Sequence, residues 1–355
     1  MLDYAVLLTA LICTGCGLTT RSISTINKTL PITKLSPSNN ASPIQILAVS
    51  PDQKYLLQGQ HVVAQEGENF SGDILEIYNI EKKNPSLVLK QRTGASLNAT
   101  FSTDSKYVIA CGNTGVARIS LTDEKTQVVN LEEPKFLSAD GTLVACLSND
   151  GWIIKNTLLT TDKTINIKLP ENVDRFLSFS LVKNMFATTL KPGNSSALGT
   201  RMAIWAINEE NKPVFQFEWD NSSYVTPEKS CFSPDGQYFA CPSRQGYVGI
   251  WNISTEKHFK DIGEINGVIR TVKFSPNSKF LAIGIQEANE KYGKLVVWDT
   301  NNGKIIREVY DKQAKGITAV SFAPDNETLF IGNTSGDVKC ESLKDKEPFF
   351  TFLSK

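Results

Sequence analysis

Histidines and cysteines, the residues that most readily support catalysis or bind metals, are few in this sequence. The two histidines, His61 and His258, are far apart along the chain, and each is predicted to lie in a solvated loop. Outside residues 13–16, no Cys and His spacing typical of a zinc site occurs, and there is no Gly-x-Ser-x-Gly motif or phosphate-binding loop. We therefore predict no catalytic residue, no metal and no cofactor.

Five of the seven cysteines fall at apolar positions of a repeated pattern described below. They are Cys111, Cys146, Cys231, Cys241 and Cys340. A free cysteine in such a position behaves as a small buried hydrophobe. The pattern predicts five buried free thiols, with a disulfide between Cys231 and Cys241 left open because they lie on adjacent predicted strands.

The N-terminus carries an apolar run, residues 5–12 (AVLLTALI), which is too short to span a bilayer and suits the core of a signal peptide. It ends in Cys13-Thr14-Gly15-Cys16, which resembles the lipobox of bacterial lipoproteins. This resemblance implies a signal peptide over residues 1–15, lipidation of Cys16, export, and attachment to a membrane through the lipid. The alternatives are an uncleaved signal and a hydrophobic N-terminal strand.

Residues 16–42 are rich in Ser, Thr, Asn and Pro. A segment with so little apolar surface cannot offset the entropy lost on ordering, which predicts a flexible tether. Residues 26–32 within it are more apolar, so they are an alternative candidate for an extra strand at a sheet edge.

A short turn sequence recurs through the rest of the chain. An apolar residue is followed by a Ser-Pro-Asp-Gly motif or a variant of it, seven times, at intervals of 36 to 53 residues. Pro at the second position sets φ for a tight turn, and Asp or Asn accepts backbone hydrogen bonds. The motifs begin at Ser50, Ser102, Ser138, Ser180, Ser233, Ser275 and Ala323. The sequence therefore predicts seven units of similar length.

The sequence pattern of each unit predicts four strands. A short apolar strand lies on each side of the turn, a third apolar strand follows a loop, and a fourth, more polar strand ends the unit, as in YFAC, VGIWNI and KHFKDI of the fifth unit. Strands that are apolar throughout indicate burial on both faces, whereas the alternating fourth strand is typical of an outer edge.

This pattern resembles the WD-repeat family over residues 43–355. The residues that carry the resemblance are the turn motifs and an aromatic near the end of four third strands: Tyr78, Trp205, Trp251 and Trp298, the last followed by Asp299. The resemblance implies an all-β fold, a seven-bladed β-propeller of four-stranded antiparallel blades. The Gly-His dipeptide of the family is missing from every unit, so its His–Ser/Thr–Asp–Trp hydrogen-bond set cannot form. In such a ring the loops predicted to hold His61 and His258 open on opposite faces, which excludes a metal ion shared between them.

Insertions concentrate on one predicted face of the ring. They are the loops over residues 58–72, 190–200 and 286–293 and the connection over residues 220–228. In a propeller these loops share a rim with the connections between blades, and loops on a rigid scaffold carry binding functions. The candidate binding residues on this rim are His61, Lys191, Trp219, Tyr224 and Tyr292.

The charge balance argues against nucleic acid as a partner. The chain has 37 Lys and Arg against 37 Asp and Glu, so it lacks the basic excess that displaces counterions from nucleic acid. We predict a non-enzymatic scaffold that binds a protein or peptide and is exported and tethered to a membrane. The alternatives are a propeller hydrolase or lactonase acting at the channel mouth, and a soluble cytoplasmic WD-repeat scaffold.

Overall fold

The computed structural model describes residues 42–62, 72–81, 85–93, 96–112, 115–131, 133–157, 166–180, 182–191, 200–221, 229–243, 246–263, 265–288, 291–344 and 350–353. The predicted signal peptide, Cys16, and residues 26–32 lie outside these ranges. Among the described residues, no helix is long and apolar enough to cross a membrane.

These residues form 28 strands in seven four-stranded antiparallel sheets. Blade one contains β1 (Ile44–Val49), β2 (Tyr55–Val62), β3 (Gly72–Asn79) and β4 (Ser86–Thr93). Blade two contains β5 (Ser96–Phe101), β6 (Tyr107–Gly112), β7 (Gly115–Ser120) and β8 (Thr126–Asn130). Blade three contains β9 (Pro134–Leu137), β10 (Leu143–Ser148), β11 (Gly151–Asn156) and β12 (Asn166–Lys168). Blade four contains β13 (Val173–Ser180), β14 (Met185–Leu190), β15 (Thr200–Ile207) and β16 (Pro213–Asn221).

The remaining three blades repeat the arrangement. Blade five contains β17 (Cys231–Phe232), β18 (Tyr238–Pro242), β19 (Val248–Asn252) and β20 (Lys257–Ile262). Blade six contains β21 (Gly267–Phe274), β22 (Phe280–Glu287), β23 (Gly293–Asp299) and β24 (Lys304–Asp311). Blade seven contains β25 (Ile317–Phe322), β26 (Thr328–Asn333), β27 (Val338–Ser342) and β28 (Phe350–Leu353). The predicted seven-bladed β-propeller is confirmed.

Every blade takes its four strands from consecutive sequence. The first strands of neighbouring blades contact one another, and β25 of blade seven contacts β1 of blade one, which closes the ring. The first strands therefore surround the central axis and the fourth strands form the outer edge. Among the described residues, closure is a contact between blades one and seven without an exchanged strand.

Apolar side chains from facing sheets fill the space between neighbouring blades. Leu57 and Ile77 of blade one pack with Phe101 and Val108 of blade two, and similar clusters follow around the ring. At the closing contact, residues of blade one pack against residues of blade seven: Ile44, Leu47 and Leu56 against Ala319, Ala323, Phe330 and Val338. Full burial of one Leu, Ile or Phe contributes about 1.5–3 kcal/mol, so these layers supply most of the stability. The fourth strands are much more exposed: in β20 only Ile262 is buried.

The aromatic repeat positions all lie on third strands. Each of them pairs with the second residue of the second strand in its own blade, and the three tryptophans are buried. The four residues are Tyr78, Trp205, Trp251 and Trp298. Trp205 Nε1 donates to Thr188 Oγ1 at 2.8 Å. Blade four thus retains the Trp-to-Thr bond. Asp299 Oδ1 accepts the Asn301 N–H at 2.8 Å and so shapes the turn into β24.

The Ser-x-Asp turns make the same local bonds in several blades. In blade one, Ser50 Oγ donates to Asp52 Oδ1 at 2.6 Å and accepts the Tyr55 N–H at 2.9 Å. The turns also contact each other across blades: the Asp52 N–H donates to Ser105 Oγ, and the Asp235 N–H to Ser278 Oγ, both at 3.1 Å. The turn motifs therefore connect neighbouring blades as well as neighbouring strands.

Blade four departs from this turn chemistry. Val182 occupies the position of the turn Asp and is 70% exposed, while Ser180 Oγ is buried without a hydrogen-bond partner. A buried hydroxyl without a partner loses its hydration and gains nothing in return.

Replacing Val182 with Asp is expected to stabilise the protein. The new carboxylate would accept the Ser180 hydroxyl, and the expected gain is about 1 kcal/mol in the free energy of unfolding. Urea unfolding monitored by tryptophan fluorescence measures the change, with Val182→Ala as the control for loss of the valine. A gain that persists in the Ser180→Ala background would contradict the explanation.

Candidate binding rim

One end of the sheets carries the long loops, and it is called the long-loop rim below. Val62 pairs with Gly72, Thr200 with Asn221, and Gly293 with Asp311. These pairings place the connections after second strands and after fourth strands at the same end of each blade. The tight Ser-x-Asp turns lie at the opposite end.

Three of the predicted rim residues lie at the long-loop rim. His61 is near the end of β2, Lys191 directly follows β14 and is exposed, and Tyr292 directly precedes β23 and is half-buried. Trp219 belongs to β16, opposite Met202, and its side chain lies outside the description. Tyr224 lies outside the described residues.

The prediction that His61 lies in a loop is wrong. His61 is part of β2 and lies opposite Asp73 of β3, with 2.7 Å between His61 Nδ1 and Asp73 Oδ1. Strand β2 continues beyond the apolar core. The polar residues from Gln58 onward predict a loop, but they have partners within the blade. Gln58 Nε2 donates to Glu76 Oε2 at 2.6 Å, and Lys90 Nζ contacts Glu76 Oε1 at 2.5 Å.

His258 also belongs to a strand and not to a loop. It lies in β20 opposite Trp251, with its ring edge against the indole at 5.5 Å between centroids, and its Nε2 is 2.9 Å from Asp261 Oδ1. His258 lies next to the β19–β20 turn, at the end of its sheet opposite to the end at which His61 lies. Within the described ranges, no group of three or more His, Cys, Asp and Glu is placed to hold a metal ion.

The His61–Asp73 pair could orient an imidazole for proton transfer. Asp73 is 6% exposed at its side chain and His61 38%, so the ring has one protected and one accessible side. No serine, threonine or cysteine among the described residues is hydrogen-bonded to His61.

None of the five cysteines of the described region forms a disulfide, which leaves Cys231 and Cys241 unbridged. In the register, Cys231 lies opposite Ala240 and not opposite Cys241. Burial raises the pKa of Cys111 to about 12 and that of Cys231 and Cys340 to about 11, and it raises the Cys241 pKa further. Thiols with such pKa values are poor nucleophiles at neutral pH. These cysteines are packing residues.

Hydrogen bonds hold the long-loop rim together at blades six, seven and one. They join Gly293 N to Ala314 O (2.7 Å), Thr334 N to Gly316 O (2.9 Å), Ser335 Oγ to Gln313 O (3.3 Å) and Gln60 Nε2 to Gly336 O (3.4 Å). Because most of these bonds involve backbone groups, they fix the path of the loops and not only side-chain positions. This part of the rim, which includes Tyr292, is held by hydrogen bonds across three blades.

A buried ion pair lies beneath the same part of the rim. Lys339 Nζ of blade seven is 2.6 Å from Asp311 Oδ1 of blade six, and both side chains are at most 5% exposed. Asn333 Nδ2 donates to Asp311 Oδ2 at 2.9 Å, and Lys339 also donates to Gln313 Oε1 at 3.1 Å. The carboxylate is therefore paired on both oxygens, which offsets its desolvation. The sequence analysis missed this cluster, whose signal is a lysine in the third strand of blade seven.

Removing one partner of this pair is expected to destabilise the ring strongly. Lys339→Met leaves the Asp311 carboxylate buried without its cation, with an expected loss of about 3–5 kcal/mol in unfolding free energy. The double variant Lys339→Met with Asp311→Leu should recover most of that loss. Chemical denaturation of the two variants beside wild type measures the difference. Equal losses in the single and double variants would show that shape, and not charge, determines the effect.

Parts of the chain are similar in sequence to WD-repeat proteins. A stretch of 149 residues is 24% identical to WD repeat-containing protein 1 of Xenopus tropicalis and covers 39% of this chain and 24% of that protein. A stretch of 120 residues is 28% identical to Actin-interacting protein 1 of Drosophila melanogaster, covering 33% and 19% respectively. A third, of 114 residues, is 27% identical to Protein LST8 homolog of Drosophila melanogaster, covering 30% and 34%.

The chain thus spans about a quarter or less of the length of the first two relatives. No protein family model matches the chain. Together with the seven blades, the similarity supports a WD-repeat type of propeller.

Proposed function

We propose that this chain is a non-enzymatic scaffold that binds a protein or peptide partner on the long-loop rim. The observation that carries the proposal is the bonded section of the rim at blades six, seven and one. A surface that is rigid before binding loses little entropy on binding. The similarity to WD-repeat proteins, one of which is named for an interaction with actin, supports a protein partner.

The absence of an enzymatic role is part of the proposal. The described histidine–carboxylate pair at the rim has no hydrogen-bonded nucleophile, and the four thiols with raised pKa values are poor nucleophiles. Tyr292 and Lys191 instead supply an aromatic and a cationic contact at the rim. Aromatic residues such as Tyr are common anchors of protein interfaces.

Photo-crosslinking distinguishes the two ends of the ring. A photoreactive lysine analogue at position 191 is expected to crosslink a protein partner in cells, because Lys191 is exposed at the long-loop rim. The matched control is the same analogue at Lys212, which is 71% exposed in blade four at the opposite end. Mass spectrometry of the crosslinked products identifies the partner.

The crosslink at position 191 should weaken when Tyr292 is changed to Ala, since Tyr292 belongs to the same rim. Crosslinking of the same protein with equal yield at both positions would contradict a rim-specific site. So would an unchanged yield in the Tyr292→Ala variant.

We further propose that the propeller is exported and held at a membrane by lipid on Cys16. The apolar run, the small residues and the cysteine support this proposal, and residues 16–42 would connect the lipid to the first strand at Ile44. Two or three acyl chains, at about 0.8 kcal/mol per buried CH₂, hold a protein at a bilayer effectively for good.

The mass of the N-terminal peptide tests the anchor. The membrane fraction is expected to contain a peptide that begins at Cys16 and carries a diacyl- or triacyl-glyceryl group, and Cys16→Ala should remove both the mass and the membrane association. The matched control is Cys13→Ala, which should keep both. An unmodified chain beginning at Met1 in the soluble fraction would refute the anchor without affecting the proposed rim.

A further inference from the structure

One position of the third strands is charged in blade two and apolar in every other blade. It lies opposite the third residue of the second strand, and in blade two it is Arg118, opposite Ile109. In the other blades, each residue at this position packs against the blade that follows. These residues are Ile77, Ile154, Ile204, Ile250, Val297 and Cys340. Blade two therefore lacks an apolar contact that the rest of the ring makes.

A cavity of about 170 Å³ lies between blades two and three at this place. Ile109 and Gly141 form its apolar wall, and the other uncharged residues that line it bear hydroxyl groups. Its charged lining residues are Arg118, Asp104 and Asp140. The tight turns of both blades border the cavity, so it lies at the end of the ring opposite to the long-loop rim. A unit that breaks a rule kept by the other units, without a gain in packing, indicates a functional site.

The Arg118 guanidinium is oriented by a ring and not by a carboxylate. Its Cζ lies 3.6 Å from the centre of the Tyr107 ring. It makes no ion pair or hydrogen bond with a described residue, whereas Arg307, at the interface of blades six and seven, is paired with Glu341. A guanidinium presents two parallel N–H donors that match the two oxygens of a carboxylate. Arg118 is therefore held ready for a carboxylate that the described protein does not supply.

The Asp140 carboxylate is fully used by its own turn. Its Oδ1 accepts the Ser138 hydroxyl at 2.6 Å and the Thr142 N–H at 2.9 Å. The Thr142 hydroxyl lies 2.8 Å from both carboxylate oxygens. Asp140 thus has partners on both oxygens before any ligand arrives.

The Asp104 carboxylate has one oxygen left over. Its Oδ1 accepts the Ser102 hydroxyl at 2.6 Å and the Lys106 N–H at 3.1 Å, but its Oδ2 accepts no bond from a described residue. The bond from Ser102 keeps the pKa of Asp104 below its usual value, and the charges of Lys106 and Arg118 contribute. The group is therefore ionised at neutral pH. Lys106 itself is exposed and does not line the cavity.

The volume of the cavity limits the size of its occupant. A cavity of about 150 Å³ in a protein core holds one benzene molecule. The cavity between blades two and three therefore suits a ligand of about six to eight non-hydrogen atoms, which is much smaller than a peptide or a nucleotide.

The charges in the wall favour an occupant that carries both signs. Arg118 attracts an anion, but the Asp104 carboxylate in the same wall repels it, and the reverse holds for a cation. Arg118 and Asp104 form no ion pair with each other, so each can still bind a ligand group. A small zwitterion satisfies both residues at once.

We propose that the cavity between blades two and three binds a free α-amino acid with a small side chain. The carboxylate of the ligand pairs with the Arg118 guanidinium, its ammonium group donates to Asp104 Oδ2, and its side chain packs on Ile109 and Gly141. The site lies at the opposite end of the ring from the long-loop rim, so the two proposals succeed or fail separately.

Isothermal titration calorimetry with the full-length protein tests the proposal. The matched probes are L-alanine, propionate, which lacks the ammonium group, and ethylamine, which lacks the carboxylate. L-Alanine is expected to bind with a dissociation constant of about 1 mM or below, and each of the other two at least about tenfold more weakly. L-Serine and L-valine extend the test to other small side chains.

Arg118→Ile separates binding from folding. The variant places in blade two the residue type that most other blades have at this position, so its melting temperature is expected to equal or exceed that of wild type. Its affinity for L-alanine is expected to fall at least about tenfold, because the ligand carboxylate loses its cation. A merely structural role of Arg118 predicts the opposite, a lower melting temperature with unchanged affinity.

Asp104→Asn removes the charge while the turn is kept. Asn277 occupies the same turn position in blade six, where it accepts the Ser275 hydroxyl at 2.7 Å and the Lys279 N–H at 3.1 Å. The variant is expected to bind L-alanine about as weakly as wild type binds propionate. The matched control is Asp52→Asn, the same turn position in blade one, which should change the affinity less than twofold.

Several results would overturn the proposal. They are no binding of any of the three amino acids, equal losses in Asp104→Asn and Asp52→Asn, or full affinity in Arg118→Ile. Propionate that binds as tightly as L-alanine would assign the cavity to simple carboxylates, and ethylamine that does so would assign it to cations. If Arg118→Ile fails to fold, the three matched probes and the Asp104→Asn variant still decide the question.

Discussion

Apolar packing between neighbouring sheets is the interaction on which the rest of this structure depends. Each blade has two faces that must be buried, and only a closed ring buries both faces of all seven. The clusters that join blade one to blade two and blade seven to blade one are built from the same kinds of side chain on the same strands. The ring therefore needs no exchanged strand or disulfide among its described residues to close.

Paired polar groups are distributed unevenly through these layers. The Gln58, Glu76 and Lys90 set lies in blade one, and the Asp311, Asn333 and Lys339 set lies between blades six and seven. In blade seven the position of the repeat aromatic holds Glu341, which is paired with Arg307 of blade six. Burial raises the pKa of this glutamate, and its partner Arg307 opposes the shift. In blade seven an ion pair thus replaces the aromatic ring.

The sequence predicts the fold well because the fold repeats. The turn motif, the strand length and the position of the aromatic residue recur at matching places in the repeat. A unit with an altered motif can therefore be located from the other units. Blade four, whose turn at Ser180 is altered, is placed correctly for this reason. Single residues have no such support. His61 and His258 were assigned to loops because polar neighbours interrupt the apolar pattern, whereas cross-strand partners such as Asp73 and Trp251 keep them in strands. Pairing between distant residues is not visible in local composition.

The assembly of each sheet from consecutive strands has a consequence for the topology of the chain. No described strand belongs to the sheet of another blade. Each connection between blades therefore joins the last strand of one sheet to the first strand of the next. The closing contact between blades seven and one is made of apolar side chains, like the contact between blades one and two, although no peptide bond spans it. The apolar packing between blades therefore does not distinguish blade one from the other blades. A circular permutant opened at any inter-blade connection would keep all seven sheets intact.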